Sequence, residues 1–308
     1  MDYEEALMAK IAWMYYFEDL TQQQIAERMD TNRARIVKLL EKARKTGLIR
    51  FNLRRGSESR METEKKLMER YGLQDAFIVP APSDETMTNE NVAKAASMYI
   101  LERLHPGSTI NIGYGDTPCR VLNRMATLTD ETMTCVSLTG GVSYYLPDSR
   151  SNVFNAKLHL IPAPLLASNR EMAEAILAEN SIKEISRMIS LAQLTVVGIG
   201  SMQEDATVFR TGILNANDLL YLRTRGAVGD ILSHFIDKDG KLVNSPIEER
   251  LISTSLEVLH SLKNVIGVAA GEKKADAIRG VLAGNTLNVL ITDEPTAIRI
   301  LNETPESE

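Results

Sequence analysis

Asp230 sits inside the apolar run Gly226-Ala227-Val228-Gly229-Asp230-Ile231-Leu232, where an unpartnered carboxylate is costly, and Lys274 closes the turn-like stretch Ala270-Gly271-Glu272-Lys273. A carboxylate in such a place can hold sugar hydroxyls, and a lysine can hold a phosphate. A structural Asp–Lys or Asp–amide bond is the alternative for both. Three turns rich in Gly, Ser and Thr accompany them. Ile112-Gly113-Tyr114-Gly115-Asp116-Thr117-Pro118 joins a strand pattern to a helix pattern, and such a loop can seat a phosphate on backbone N–H groups at the helix start. Ser137-Leu138-Thr139-Gly140-Gly141 and Val197-Gly198-Ile199-Gly200-Ser201 follow two further strand patterns. Each could be a tight turn and nothing more. On a parallel sheet, however, all three would open at the same end and converge. Gly113, Gly115, Asp116, Thr117, Thr139, Gly140, Gly141, Asp230 and Lys274 are therefore the expected ligand-binding set.

A different chemistry lies near the N-terminus. Residues 28–55 hold ten basic and two acidic side chains, a charge of +8, whereas the remaining 280 residues carry −14 and the whole chain −6. A basic block on an acidic body is the electrostatic footprint of a nucleic-acid reader, although a solvated basic helix has the same composition. The local pattern favours the reader. Thr21, followed three residues later by Gln24, predicts a capping box and a helix to about Met29. After Asp30-Thr31-Asn32 a second helix from Arg33 to about Lys45 places Ile36, Leu39, Leu40 and Ala43 on one face, and Gly47 ends it. With Ala6–Phe17 ahead of them these make a helix–turn–helix, in which the start of the second helix meets base edges. Asn32, Arg33, Arg35 and Lys38 fall there, Gln22 begins the first helix, and Lys42 further along suits a phosphate. Leu48–Leu53 alternates like a short wing strand. The polar stretch Arg54–Ser59 reads as a linker, giving a DNA-binding domain over 1–55 and an effector and oligomerisation domain over 56–308.

Behind the linker, strand patterns at 76–80, 109–113, 134–139, 158–161, 194–199, 228–235, 265–269 and 287–292 alternate with helical ones at 62–71, 91–104, 170–177, 182–191, 247–262 and 274–282. This alternation predicts an α/β fold with a parallel sheet. Hydrophobic residues at 44% and charged residues at 25% suit a globular chain. No apolar run approaches the ~20 residues of a membrane span, and the first ten residues lack the features of a secretory leader, so a cytoplasmic protein without membrane partners is expected. Two cysteines, Cys119 and Cys135, and four scattered histidines give neither a disulfide framework nor a metal site, and no cofactor is expected.

The stretches Ile11–Tyr16, Leu20–Leu40, Gly226–Ile231, Phe235-Ile236-Asp237, Asp239-Gly240, Val268–Ile278 and Leu290–Asp293 together resemble the SorC family of sugar-responsive bacterial transcriptional regulators over nearly the whole chain. The resemblance implies an effector domain similar in fold to sugar-phosphate isomerases and glucosamine-phosphate deaminases, a phosphorylated sugar or polyol as effector, operator DNA as partner, and a homo-oligomer, a tetramer. Leu160–Leu165, with Asn155 upstream, looks most like the subgroup that represses autoinducer-2 uptake, in which the positions matching Asp230 and Lys274 contact the phosphorylated signal. Gly115-Asp116-Thr117 matches the family's phosphate-side loop. Ala270-Gly271, where many members have two glycines, and Tyr144-Tyr145 depart from the pattern. A sugar-phosphate isomerase or deaminase that has acquired a DNA-binding segment is the alternative, with Asp116, Asp230 and Lys274 as nominal proton carriers. The chain lacks the Asp-Gly-Ala-Asp and Lys-Gly-x-Gly-Gly runs associated with ribose-phosphate isomerases, which favours the regulator.

Overall fold

A computed structural model of the chain describes residues 3–16, 18, 20–49, 55–130, 132–145 and 155–302. The chain divides into two compact units, 1–58 and 59–308. The first unit holds α1 (Tyr3–Tyr16), α2 (Gln22–Arg28) and α3 (Arg33–Lys45) around a core of Met8, Ile11, Met14, Ile25, Ala26, Ile36, Leu40 and Ala43. Thr21 caps α2 as its spacing from Gln24 predicts: Gln24 N–H donates to Thr21 Oγ1, and Thr21 N–H donates to Gln24 Oε1. Gly47, at φ +74°, follows the Thr46 cap of α3. Leu48 and Ile49 form a bend rather than a strand, and the rest of the expected wing lies outside the described residues. Nor is the expected linker a loop. From Arg55 onward it is helical, and Gly56, Ser57 and Ser59 fall in the first turns of α4 (Arg55–Tyr71), which buries Leu67 further along its length.

The second unit alternates strands and helices: β1 (Asp75–Val79), α5 (Thr88–Leu101), β2 (Thr109–Ile112), α6 (Asp116–Leu128), β3 (Met133–Ser137), β4 (Ala156–His159), α7 (Arg170–Ala178), α8 (Asn180–Leu191), β5 (Leu194–Ser201), α9 (Thr207–Arg210), α10 (Ala216–Thr224), β6 (Gly229–Ile231), β7 (His234–Ile236), α11 (Leu256–Ser261), β8 (Val265–Val268), α12 (Ala275–Ala283), β9 (Val289–Asp293) and α13 (Glu294–Asn302). Seven strands pair in parallel in the order β1-β9-β8-β5-β2-β3-β4. Strand side chains alternate between two cores. Ile110, Ile112, Val196 and Ile291 meet Val92, Ala96, Val121 and Met125 of α5 and α6 on one face. Val136, Val197 and Leu290 meet Leu67, Ile189, Ile278 and Ile300 on the other. This double burial is why the strands read as continuous apolar runs. Asn111 breaks the run, and its Nδ2 donates to Ile189 O at 3.0 Å and Thr195 Oγ1 at 3.1 Å.

Two expectations need correction. Val228–Phe235 is not one strand but the hairpin β6–β7, added antiparallel to the end of β5. Its turn residues, Leu232 (φ 53°) and Ser233 (φ 66°), carry none of the Asn-Gly chemistry that announces such turns. Residues 247–262 are not one helix either. A single 3₁₀ turn at Glu248–Arg250 leads into an extended strap bridged to Leu166 and Thr139, and only then does α11 start, with Ser255 as its cap.

The sheet's outer strand β1 shows how its border is finished. Ala76 N–H donates to Asp75 Oδ1 at 2.9 Å, and Ile78 N–H donates to Glu64 Oε1, from α4, at 2.8 Å. Burial raises the Glu64 carboxyl above the ordinary glutamate value, an effect that the Ile78 N–H opposes.

Candidate functional site

The chain runs outward from β2 toward β4 and back from β5 toward β9, so β2 and β5 are neighbours at the point where strand order reverses. In open α/β sheets the carboxyl ends of strands at such a point bound a natural crevice. A crevice of about 800 Å³ lies there. The turn after β2 contributes Tyr114–Pro118, the end of β5 contributes Gly198–Ser201, and the turn after β8 contributes Ala270–Lys274. Asp205, before α9, and Arg210, within it, close its rim together with Glu85, Thr86, Thr88 and Asn89, before and at the start of α5.

Helix α6 points its N-terminus into this space. Gly115 precedes it at φ 130°, a conformation reserved for glycine, and no side chain caps the helix. The first N–H groups of a helix have no partner within it, so those of Asp116 and Thr117 are available to an anion, and Pro118 sits where its missing N–H costs nothing. The Asp116 carboxylate would oppose an anion there, but Arg120 Nε binds it at 2.9 Å while Arg120 Nη1 binds Glu90 at 2.8 Å.

Asp230 is 8% exposed, and among the described residues no ion pair engages it. Its Oδ2 accepts the Ser233 N–H at 3.0 Å. Its Oδ1 lies over Gly200, its partner in the β5–β6 pair. Burial pushes the carboxyl up to about 6, opposed by the Ser233 N–H and by the charges of Lys274 and His234. Lys274 ends a 3₁₀ turn, Glu272–Lys274, immediately before α12. Burial lowers its ammonium below the ordinary lysine value, against the pull of Asp230, Asp116 and Asp205. Among the described residues no hydrogen bond or ion pair engages that ammonium. A buried acceptor and a half-buried cation thus face one cavity, each bearing a desolvation cost that a ligand with hydroxyls and a negative charge would offset.

Of the expected ligand set, Gly115, Asp116, Thr117, Asp230 and Lys274 line the crevice, and the others do not. Gly113 packs beneath it, against Leu232 and the backbone of Val196. The Thr139–Gly141 turn follows β3, one strand too far out. Thr139 Oγ1 is bonded to Gly140 O and the Tyr145 hydroxyl, both at 2.8 Å, and the Gly140 and Gly141 N–H groups donate to Ile252 O and Ala163 O. Those bonds fix the turn against neighbouring backbone and commit the Gly140 and Gly141 amides and the Thr139 hydroxyl within the protein. The sequence pattern offers Gly198–Ser201 as the third glycine turn, which also lines the crevice, and gives no signal for Asp205 and Arg210. Nor does it signal the part played by Asp293. Buried at 2% exposure, Asp293 accepts the Gly271 N–H at 2.7 Å and the Thr296 hydroxyl at 2.7 Å, which pins the Lys274 turn to the start of α13.

In the first unit Arg33, Arg35 and Lys38 are exposed at the start of α3. Arg33 Nε donates to Gln22 Oε1 at 3.3 Å, while among the described residues no ion pair or side-chain hydrogen bond engages Arg35 or Lys38. Asn32 does something sequence reading did not assign. Its Oδ1 accepts the Arg35 N–H at 2.8 Å and caps α3. Lys42 is bound to Glu4 at 2.6 Å across the unit's surface.

The family described as "Putative sugar-binding domain" matches residues 57–302. The transcriptional regulator LsrR of Klebsiella pneumoniae is 35% identical over 302 residues, covering 97% of this chain and 93% of that protein. LsrR of Escherichia coli K12 is 34% identical over 97% of this chain and 95% of its own length. The crystal structure of the full-length sorbitol operon regulator SorC from Klebsiella pneumoniae superposes with a TM-score of 0.70 at 26% identity, covering 98% of this chain and all of that one. A DeoR family transcriptional regulator from Listeria monocytogenes covers 78% of the chain and 99% of its own, with a TM-score of 0.69 at 25% identity.

Proposed function

The chain belongs to the SorC family of sugar-binding transcriptional regulators, and we propose that its three-helix unit reads operator DNA with an affinity set by a phosphorylated sugar or polyol in the crevice at the sheet's carboxyl end. The observation that carries this reading is the placing of Asp230, Lys274 and the α6 N-terminus around one cavity. The helix N–H groups and Lys274 suit a phosphate, and Asp230 suits hydroxyls, which a site for inorganic phosphate would not need. On the DNA side, Arg33, Arg35 and Lys38 would meet base edges and Lys42 a phosphate, with Gln22 and Asn32 alongside. The regulated operon would be one for carbohydrate use, in the cytoplasm.

Control requires that the effector prefer one arrangement of the protein over another, since equal affinity for both shifts nothing. A homo-oligomer, a tetramer, would supply the two arrangements and the paired reading units. Tyr3 and Trp13, exposed on α1 opposite its packed face, offer apolar surface for such pairing. No turnover of sugar phosphates is expected.

Calorimetric titration with pentose, tetritol, hexose and autoinducer-2 phosphates tests the reading. Asp230→Ala and Lys274→Ala should keep operator affinity and lose the effector response. Unchanged effector Kd in both variants places the site elsewhere.

A further inference from the structure

Asp230 is held by a turn that two non-glycine residues make in the left-handed region, Leu232 at φ 53° and Ser233 at φ 66°. Such a conformation persists only where its surroundings over-determine it. The surroundings here are the strap that follows the 3₁₀ turn at Glu248–Arg250. Ser253 Oγ donates to Leu232 O at 2.9 Å. His234, next after the turn and 5% exposed, reaches the strap with both ring nitrogens: Nδ1 is 2.8 Å from Glu248 Oε1, and Nε2 is 2.9 Å from Thr254 O. The strap is fixed in its turn. Thr254 N–H and Oγ1 both donate to Leu138 O at 2.8 Å, and Ile252 N–H donates to Leu165 O at 2.9 Å.

A carbonyl only accepts, so Nε2 carries a proton, and one further proton must lie between Nδ1 and the Glu248 carboxylate. Removing that proton sets acceptor against acceptor. The charged and titratable groups around the ring are Asp230 on β6, Glu248 on the 3₁₀ turn and Glu257 on α11, with Lys274 beyond Asp230.

We infer that His234 is a positioning residue: by bridging Glu248 and the Thr254 carbonyl it holds the Leu232–Ser233 turn, and with it the Asp230 carboxylate, in the geometry that receives effector hydroxyls. This rests on the reading of Asp230 given above, and it extends the site to His234 and Glu248, neither of which touches the crevice.

The test follows the Asp230 carboxyl itself, by carbon-13 NMR of the full chain labelled at aspartate, with Asp230→Asn assigning the signal. In the unaltered protein the titration midpoint should lie at about 6. His234→Phe keeps a ring and removes both bonds; as the Ser233 N–H and the neighbouring charge are withdrawn, the midpoint should rise by about one unit. If that variant does not fold, Glu248→Ala, which cuts only the Nδ1 arm, should move the midpoint the same way by less. Glu248→Gln can donate to an unprotonated Nδ1 and keep the bridge at the loss of the ring's charge alone, so it should raise the midpoint by less than Glu248→Ala does. An unmoved midpoint in His234→Phe or Glu248→Ala, or an equal rise in Glu248→Gln and Glu248→Ala, overturns the inference. The two readings fail separately: unchanged effector affinity in Asp230→Ala retires the effector assignment and leaves the bridge standing.

Discussion

Gly200 and Asp230 are directly paired across β5 and β6, and the carboxylate of Asp230 fills the space a side chain on Gly200 would occupy. A Cβ on residue 200 would overlap Oδ1 and stand 2.8 Å from Cγ. The glycine therefore leaves room in the crevice wall for the carboxylate. Gly200→Ala should displace the carboxylate, weaken effector binding by about tenfold or more, and destabilise the second unit by roughly 1–3 kcal/mol, as overpacking does. Operator affinity without effector should persist. Calorimetry and thermal unfolding read the two effects, and a variant that binds effector normally would show that the carboxylate is not pinned there.

Ionised Asp230 costs stability. Its folded value of about 6 lies above the ordinary 3.8, so the folded protein takes up this proton before the unfolded chain as pH falls from about 6 to about 4. Through that window the group's penalty is relieved, and above it the penalty is in full force. Two units correspond to about 3 kcal/mol at most. Asp230→Asn should accordingly be more stable than the unaltered protein at pH 8, and denaturant titrations should find the advantage shrinking toward pH 4. An advantage independent of pH would mean that burial of charge is not its source.

On DNA, loss of Arg33 or Arg35 to alanine should cost about 1–3 kcal/mol and relax preference at one base pair. Lys42→Ala should weaken all sequences alike and flatten the salt dependence by less than one ion, because Lys42 already leans on Glu4 and an exposed pair of that kind is worth at most about 1 kcal/mol. Footprinting across a salt series separates the two classes. A fragment lacking residues 1–55 that still protects the operator would refute the placement of the reader.

Thr139→Val removes a buried hydroxyl bonded to Tyr145 and Gly140. It should cost about 1 kcal/mol of stability and leave effector Kd unchanged. A large loss of affinity would return the Thr139–Gly141 turn to the ligand site.

What the residues revealed before any coordinates tracks the range of the forces involved. The Thr21–Gln24 cap, the Gly47 stop and the apolar runs of β2, β5 and β9 are written within a few neighbouring positions, and each formed within two residues of its expected place. Asp230 stands out in the sequence as a charge in an apolar run, and Lys274 by its place between a strand pattern and a helix pattern; the fold sets both on one crevice. The β6–β7 turn does not stand out, since Leu232-Ser233 adopts its conformation through bonds to Ser253 and His234's partners some twenty residues on. The Thr139–Gly141 turn misled for a related reason. Gly140 is there to let the backbone of Pro164 approach and Gly141 to adopt φ +84°, demands that composition shares with phosphate binding.

The carboxylates that occupy the Ala76 and Ile78 amides have a consequence for how copies of this protein can meet. An open strand is a template on which a foreign strand can lengthen a sheet without limit. Here an incoming chain would have to evict two side-chain acceptors from one column of donors, one of them anchored on a helix. Strand addition at that border is opposed by the bonds those two carboxylates already make.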